Sequence, residues 1–434
     1  MGPVTRLQGV VRNTPMLRDL PREVAVLSAV AFCVALGFGI LAPALPVFAR
    51  TFDVTALQAS AVISVFALVR FVTSPVSGVM VDRWGERIVL ATGLSIVAIS
   101  SAAAGFSQTY VQLLVLRGIG GLGSSMFTVS ALALLLRVVH SSQRGRASGA
   151  FQGGFLLGGV AGPAVGGIVV AWSIRAPFFV YAAALGVASI VAAVFLAKAR
   201  LAEREQEVSH GEAGKLERLR EALHDRGYRA ALGVSLVTGF VVFGMRSSVV
   251  PLFITEGMDK SASLVGIGFL LAAGCQAVLL LPAGRMADTE GRRKAMLIGT
   301  IGTSIGMVVL TAADVATNGW GTAAVAGTVL FLLAMAVQGA AGAFLASAPA
   351  AVVGDVVGGR KGGVVVATFQ MMSDLGAVLG PLVAGVLVDM FDFDWAFAAG
   401  SALSLGAVML VLVMPETLHR KTGSARESPE ENVS

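Results

Sequence analysis

Gly78-Val-Met-Val-Asp82-Arg83-Trp84-Gly85-Glu86-Arg87 decides the reading of this chain, because its skeleton occurs twice. The second occurrence is Gly284-Arg-Met-Ala-Asp288-Thr-Glu-Gly291-Arg-Arg293. The fixed positions of G-x-x-x-D-x-x-G-x-R are displaced by 206 residues at all four places. A second set, Gln152, Gly158, Gly162 and Pro163, recurs as Gln370, Gly376, Gly380 and Pro381, displaced by 218. Two matches in the same order make the chain a duplication. The twelve residues by which the offsets differ are expected in a loop around Asp314 to Thr322.

Working outward from these repeats, the composition fixes the solvent. Of 434 residues 56% are hydrophobic and 13% charged, with a mean hydropathy of +0.81. A soluble domain carries about a quarter charged residues, so this is an integral membrane protein. A spanning helix needs about 20 apolar residues to cross about 30 Å of hydrocarbon. Twelve stretches qualify: 25–49, 57–81, 88–107, 109–136, 149–172 and 177–197, then 230–253, 262–286, 294–313, 322–346, 364–389 and 395–415. They predict an N-terminal arm (1–23), a six-helix half (24–197), a linker (198–229), a second six-helix half (230–415) and a tail (416–434). Leu216, Leu219 and Leu223 give the linker a weak amphipathic pattern, read as a solvated connection in preference to an interfacial helix.

Charge placement orients the spans. Of the 32 Lys and Arg, 26 fall on the side of the two termini and three (Arg50, Arg175, Lys260) on the other. That asymmetry puts both termini in the cytoplasm. It also accounts for the net charge of +6 without a nucleic-acid partner. Cys33 and Cys275 lie inside apolar runs, so neither a disulfide framework nor a Cys metal site is expected. Gly118-x-Gly120-x-x-Gly123 matches a dinucleotide fingerprint by letters, but that fingerprint needs a strand before it and a helix starting at it. Here it sits inside a span, where helix packing explains it better. No cofactor is expected, and no G-x4-G-K-[ST] segment occurs for ATP.

With these features the sequence resembles the major facilitator superfamily, and within it the twelve-span drug:proton antiporters, from about Val24 to Glu416. The resemblance implies an all-α fold of twelve transmembrane helices in two pseudo-symmetric six-helix halves. Gly78, Asp82, Arg83, Gly85 and Arg87, with Gly284, Asp288, Gly291 and Arg293, match its loop signature, to which it assigns a cytoplasmic latch. Glu86 departs from the usual basic residue, and Thr289-Glu290 from the usual sequence of the second copy. Independently, glycine allows a tight turn, and a carboxylate facing a helix N-terminus is favoured by about 0.3–1 kcal/mol. Gly149, Gly158, Gly162, Pro163, Gly166 and Gly167 match the antiporter motif of span 5, which the resemblance associates with export. Small residues at this spacing also pack helices closely. Arg117 opens R-x-x-x-G-x-G, similar to a further family signature, with Gly120 replacing its glutamine.

Ionisable groups at membrane depth are costly and mark function. Four are expected: Arg70, Arg117, Arg246 and Asp374. All four histidines lie outside the spans, leaving Asp374 as the carboxylate available to carry a coupling proton. At 1.5 Å per residue, Arg70 and Asp374 lie roughly 18 and 20 Å from the inner surface. Because spans 2 and 11 face each other in the family, the two are expected to pair across the halves as a proton-dependent gate that includes Arg117. Family grounds place the substrate among spans 1, 4, 7 and 10, with Phe38, Phe243, Met245, Arg246 and Gln338 as lining residues. The expected activity is proton-coupled efflux of small, largely apolar, neutral or anionic compounds by a monomer in the cell membrane. The alternative is a proton symporter importing an anionic metabolite. No catalytic constellation in the spans suggests an enzyme.

Overall fold

The computed structural model describes residues 21–139, 144–196, 212–319, 324–357 and 363–418, helical throughout with no strand among them. The first half holds span 1 (Arg22–Arg50), span 2 (Ala56–Trp84), span 3 (Glu86–Gly105), span 4 (Tyr110–Val138), span 5 (Arg144–Trp172) and span 6 (Ala176–Leu196). The second holds span 7 (Arg226–Gly257), span 8 (Ala262–Thr289), span 9 (Arg292–Gly319), span 10 (Ala324–Leu345), span 11 (Gly363–Met390) and span 12 (Phe393–Val413). Among the described residues eleven helices are long and apolar enough to cross a membrane. Span 5 is a helix of the same 29-residue length as spans 2 and 4.

Local chemistry sets the boundaries. Pro43 interrupts span 1 between Leu41 and Ala44, since proline has no amide proton to continue the ladder. Span 2 begins in a capping box: Thr55 Oγ1 accepts from the Gln58 amide and Gln58 Oε1 from the Thr55 amide. It stops at Gly85, whose φ of 83° only glycine adopts without strain. Asp225 caps span 7 by accepting the Tyr228 amide at 2.8 Å.

Two expectations are corrected here. The inserted residues do not form a loop at Asp314. Span 9 is 28 residues long against 20 for span 3, so eight of the twelve extend a helix, and buried Asp314 lies in its last turns, accepting the Asp394 amide at 3.1 Å. Part of the linker is also ordered: Glu212–His224 is a helix packed against spans 7 and 11, with Ala222 buried and Leu219 half-buried. The N-terminal arm to residue 20, the linker from 197 to 211 and the tail beyond 418 lie outside the described residues.

Within the first half span 1 packs on spans 5 and 6, span 3 on spans 4 and 6, and span 2 on span 4. The second half repeats this, with span 7 on span 11, span 9 on spans 10 and 12, and span 8 on span 10. The halves meet along two seams, span 2 with span 11 and span 5 with span 8. Large apolar side chains such as Val72, Val79, Val187 and Leu281 face outward, as a protein solvated by lipid requires.

Candidate transport site between the halves

The seam between spans 2 and 11 is held at one end. These helices run antiparallel, so the N-terminus of span 2 meets the C-terminus of span 11 opposite the linker. There the amides of Ala56 and Leu57 donate to the two Asp389 carboxylate oxygens at 2.8 and 2.9 Å. Beside them Arg50 makes a bidentate pair with Glu256 at 2.6 and 2.5 Å. Further along, buried Ser64 donates to the Val378 carbonyl at 2.8 Å. Last comes the Arg70–Asp374 ion pair, which joins the two residues predicted to meet. Among the described residues every hydrogen bond and ion pair between the halves lies at this pair or on the side away from the linker.

Arg117 is enclosed in the first half, 2% exposed, with its guanidinium 4.3 Å from the centre of the Phe66 ring. It makes no ion pair among the described residues, and its Nε has no hydrogen-bond partner. Tyr181, also buried, lies within electrostatic reach of both Arg117 and Arg70. Phe38 packs on Phe66 at 6.1 Å, completing an aromatic surround. Arg246 has the analogous setting in the second half, 5.7 Å from the Phe269 ring centre. Cation–π contact offsets part of the cost of burying such charges.

Two predicted lining residues face elsewhere. Met245 is fully buried, and its sulfur packs beside Gly400 of span 12 with Met307 of span 9. Gln338 is 2% exposed, folded onto Gly306 of span 9, and neither atom of its amide has a partner. For Met245 the cause is local: Thr238–Met245 is a π-helical segment. Hydrogen bonds of the i to i+5 kind widen the turn there. Phe243, in the same segment, is 47% exposed.

The span 5 glycines are packed against backbone. An added Cβ at Gly162 would stand 2.6 Å from the Leu36 carbonyl oxygen and one at Gly166 2.9 Å from the Ile40 Cα, while Gly154 and Gly158 abut the Ser28 and Phe32 carbonyls. Span 11 treats span 7 likewise, with Gly376 and Gly380 against Leu236 and Phe240. The motif glycines Gly158, Gly162 and Gly166 thus face span 1 of their own half; Gly149, Pro163 and Gly167 lie on the same helix. Gly120, Gly121 and Gly123 of span 4 serve the same kind of contact, against spans 2 and 3, as the packing interpretation of that fingerprint requires.

At the linker end Asp82 and Arg83 are exposed and make no hydrogen bond or ion pair among the described residues. Glu86, the departure from the family signature, forms a two-pronged pair with Arg137 at 3.0 and 2.9 Å. Sequence reasoning missed Tyr181, Phe66, Glu256 and Asp389. Tyr181 had a signal, being one of three tyrosines and set in the middle of an apolar run. The other three depend on which helices adjoin, which no single stretch reveals.

A Major Facilitator Superfamily model matches residues 27–275 and 232–433. Multidrug resistance protein 2 of Bacillus subtilis is 25% identical over 391 residues, covering 88% of this chain and 90% of that protein. The quinolone resistance protein NorA of Staphylococcus aureus is 27% identical over 175 residues, 40% of this chain and 45% of NorA. Among solved structures, a D-xylose-proton symporter superposes with a TM-score of 0.68 at 16% identity, covering 91% of this chain and 98% of that one. The nucleoside transporter NupG gives 0.66 at 16% identity, covering 90% and 99%.

Proposed function

Since the chain belongs to the Major Facilitator Superfamily, a family of multi-pass membrane transporters, we propose that it exports small, largely apolar, neutral or anionic compounds in exchange for protons. The linker end is cytoplasmic in this reading, and the conformation is the one open toward the cytoplasm. The observation that carries it is the Arg70–Asp374 pair, which bridges the halves at the inner limit of the closed seam. Ionised Asp374 holds that seam shut; a proton on its carboxylate removes the partner of Arg70 and lets the halves part. The drug-resistance relatives support the direction of transport.

Linkage sets a condition on the substrate. Antiport requires that substrate and proton disfavour each other, and their coupling is reciprocal. A compound pairing directly with Arg70 would bind better once Asp374 is protonated, and would therefore travel with its proton. An exported anion must sit away from Arg70. The buried guanidinium of Arg117, without an ion-pair partner among the described residues, is what favours the second reading, a symporter for an anionic metabolite.

The test is proton movement in everted vesicles carrying a preformed pH gradient, challenged with a panel of lipophilic compounds. Antiport predicts that one or more compounds dissipate part of the gradient, and that Asp374→Asn abolishes this response. Full proton dependence in Asp374→Asn would remove the gate. Absence of any response, with accumulation of an anion by intact cells, would replace export with symport.

A further inference from the structure

The pentapeptide Gly78-Val-Met-Val-Asp82 has an unremarked twin at the far end of the partner helix. Gly385-Val-Leu-Val-Asp389 matches it at four of five positions. One copy closes span 2 at the linker end and the other closes span 11 at the opposite end. Antiparallel packing of these two helices therefore aims each copy at the N-terminus of the other helix.

At the end away from the linker the contact is made, and its chemistry is complete. The first amides of a helix have no partner inside it. In span 2 the capping box satisfies Thr55 and Gln58, and Asp389 takes the remaining two, Ala56 and Leu57. The glycine has its own part: Gly385 is buried, and an added Cβ would stand 2.6 Å from the Leu57 Cα. Its lack of a side chain is what lets the carboxylate four residues later reach the amides. The Arg50–Glu256 pair joins span 1 to span 7 at the same end.

We infer that Gly385–Asp389 is the outer latch of this transporter, the counterpart of Gly78–Asp82, and that the two latches engage in alternation. This rests on the alternating-access reading above. In the conformation described, Asp389 caps span 2 while Asp82 is exposed. In the opposite conformation Asp82 takes the first amides of span 11, Ala56 and Leu57 lose Asp389, and water replaces it. One Gly-x-x-x-Asp device, placed at opposite ends of two antiparallel helices, gives each state a capped helix that the other lacks.

The test uses the full chain in lipid nanodiscs, with Cys33 and Cys275 replaced and spin labels introduced in pairs. An outer pair at Gln108 and Lys260 and an inner pair at Trp84 and Glu290 report the two ends by pulsed distance measurement. Asp389→Ala should raise the outer-open population about fivefold, the factor matching loss of one capping interaction, with the inner pair shortening in step. Gly385→Ala, which forces the helices apart without touching the carboxylate, should shift the populations the same way. Asp82→Ala should shift them oppositely, and the Asp82/Asp389 double variant should return toward the parent distribution. Unchanged distances in both Asp389→Ala and Gly385→Ala, or a shift of the same sign in Asp82→Ala, would overturn the latch. The efflux assay is separate: if no compound moves protons while the distances respond, the latch stands and the export reading falls.

Discussion

The two copies of the ten-residue loop segment share four fixed residues and are put to different use. In the first, Asp82 and Arg83 stand exposed without a described partner, while Glu86 pairs with Arg137 of its own half. In the second, Asp288 and Asp355 both hold Arg292, Thr417 donates to Asp355, and Arg293 donates to the Leu412 carbonyl at 2.5 Å. Glu416 then caps span 9, accepting the amides of Arg292 and Arg293 at 2.8 and 3.2 Å. The second copy is fastened to its own half; the first is left to meet the other. Spacing in sequence sets which groups lie at a helix end, and partners brought from elsewhere decide whether they are free to move.

The largest contrast should come from the turn glycines. Gly85 and Gly291 both have positive φ, 83° and 136°, where a side chain costs about 1–3 kcal/mol. An alanine Cβ at Gly85 meets nothing within 4 Å, whereas at Gly291 it collides with the Glu416 carboxylate and displaces the span 9 cap. Losing a cap costs about 1 kcal/mol more. Gly291→Ala should therefore lower the thermal unfolding midpoint clearly more than Gly85→Ala, and Glu416→Ala should remove most of the difference. Equal losses in the two glycine variants would mean that Glu416 is not holding span 9.

This contrast also marks how far the sequence could be read. Duplication and twelve helices follow from repeats and from counting residues along straight helices; the Arg70–Asp374 meeting needed in addition the facing of spans 2 and 11 that the family resemblance implies. What counting misses is set by departures from a straight α-helix or by contacts between distant segments. Met245 closes the π-helical segment Thr238–Met245, a departure that no residue count shows. The glycines of span 5 were legible as small residues, yet their partner, the backbone of span 1 from Ser28 to Ile40, was not. The role of Asp389 was not legible, because a carboxylate at a helix end looks the same whether it meets water or a neighbouring N-terminus.

The aspartates give the next contrast. Asp288 is largely exposed and sits four residues from Arg292 on one helix surface, a pairing worth only about 0.2–0.5 kcal/mol. Asp288→Asn should change neither stability nor transport by more than about twofold. Asp82→Asn should leave the unfolding midpoint unaltered, since no described contact is lost, while slowing transport about tenfold. That factor corresponds to the upper range, about 1–2 kcal/mol, for a carboxylate on a partly buried helix N-terminus. Similar transport by the two variants would erase the division of labour between the copies.

The smallest stability effect, and the sharpest discrimination, is expected at the helical glycines. An added Cβ at Gly78 or Gly284 meets no atom within 4 Å, and alanine exceeds glycine inside a helix by about 1 kcal/mol. Both Gly78→Ala and Gly284→Ala should be as stable as the parent or slightly more so. If Gly78 is kept small for an approach made only in the opposite conformation, its alanine variant should be stable and slow, whereas Gly284→Ala should be stable and fast. Gly385 is the control: its close approach to Leu57 already exists, so Gly385→Ala should lose stability in the described state. A slow Gly284→Ala would show that the second copy also moves against the other half, and the two copies would then differ in partners but not in purpose.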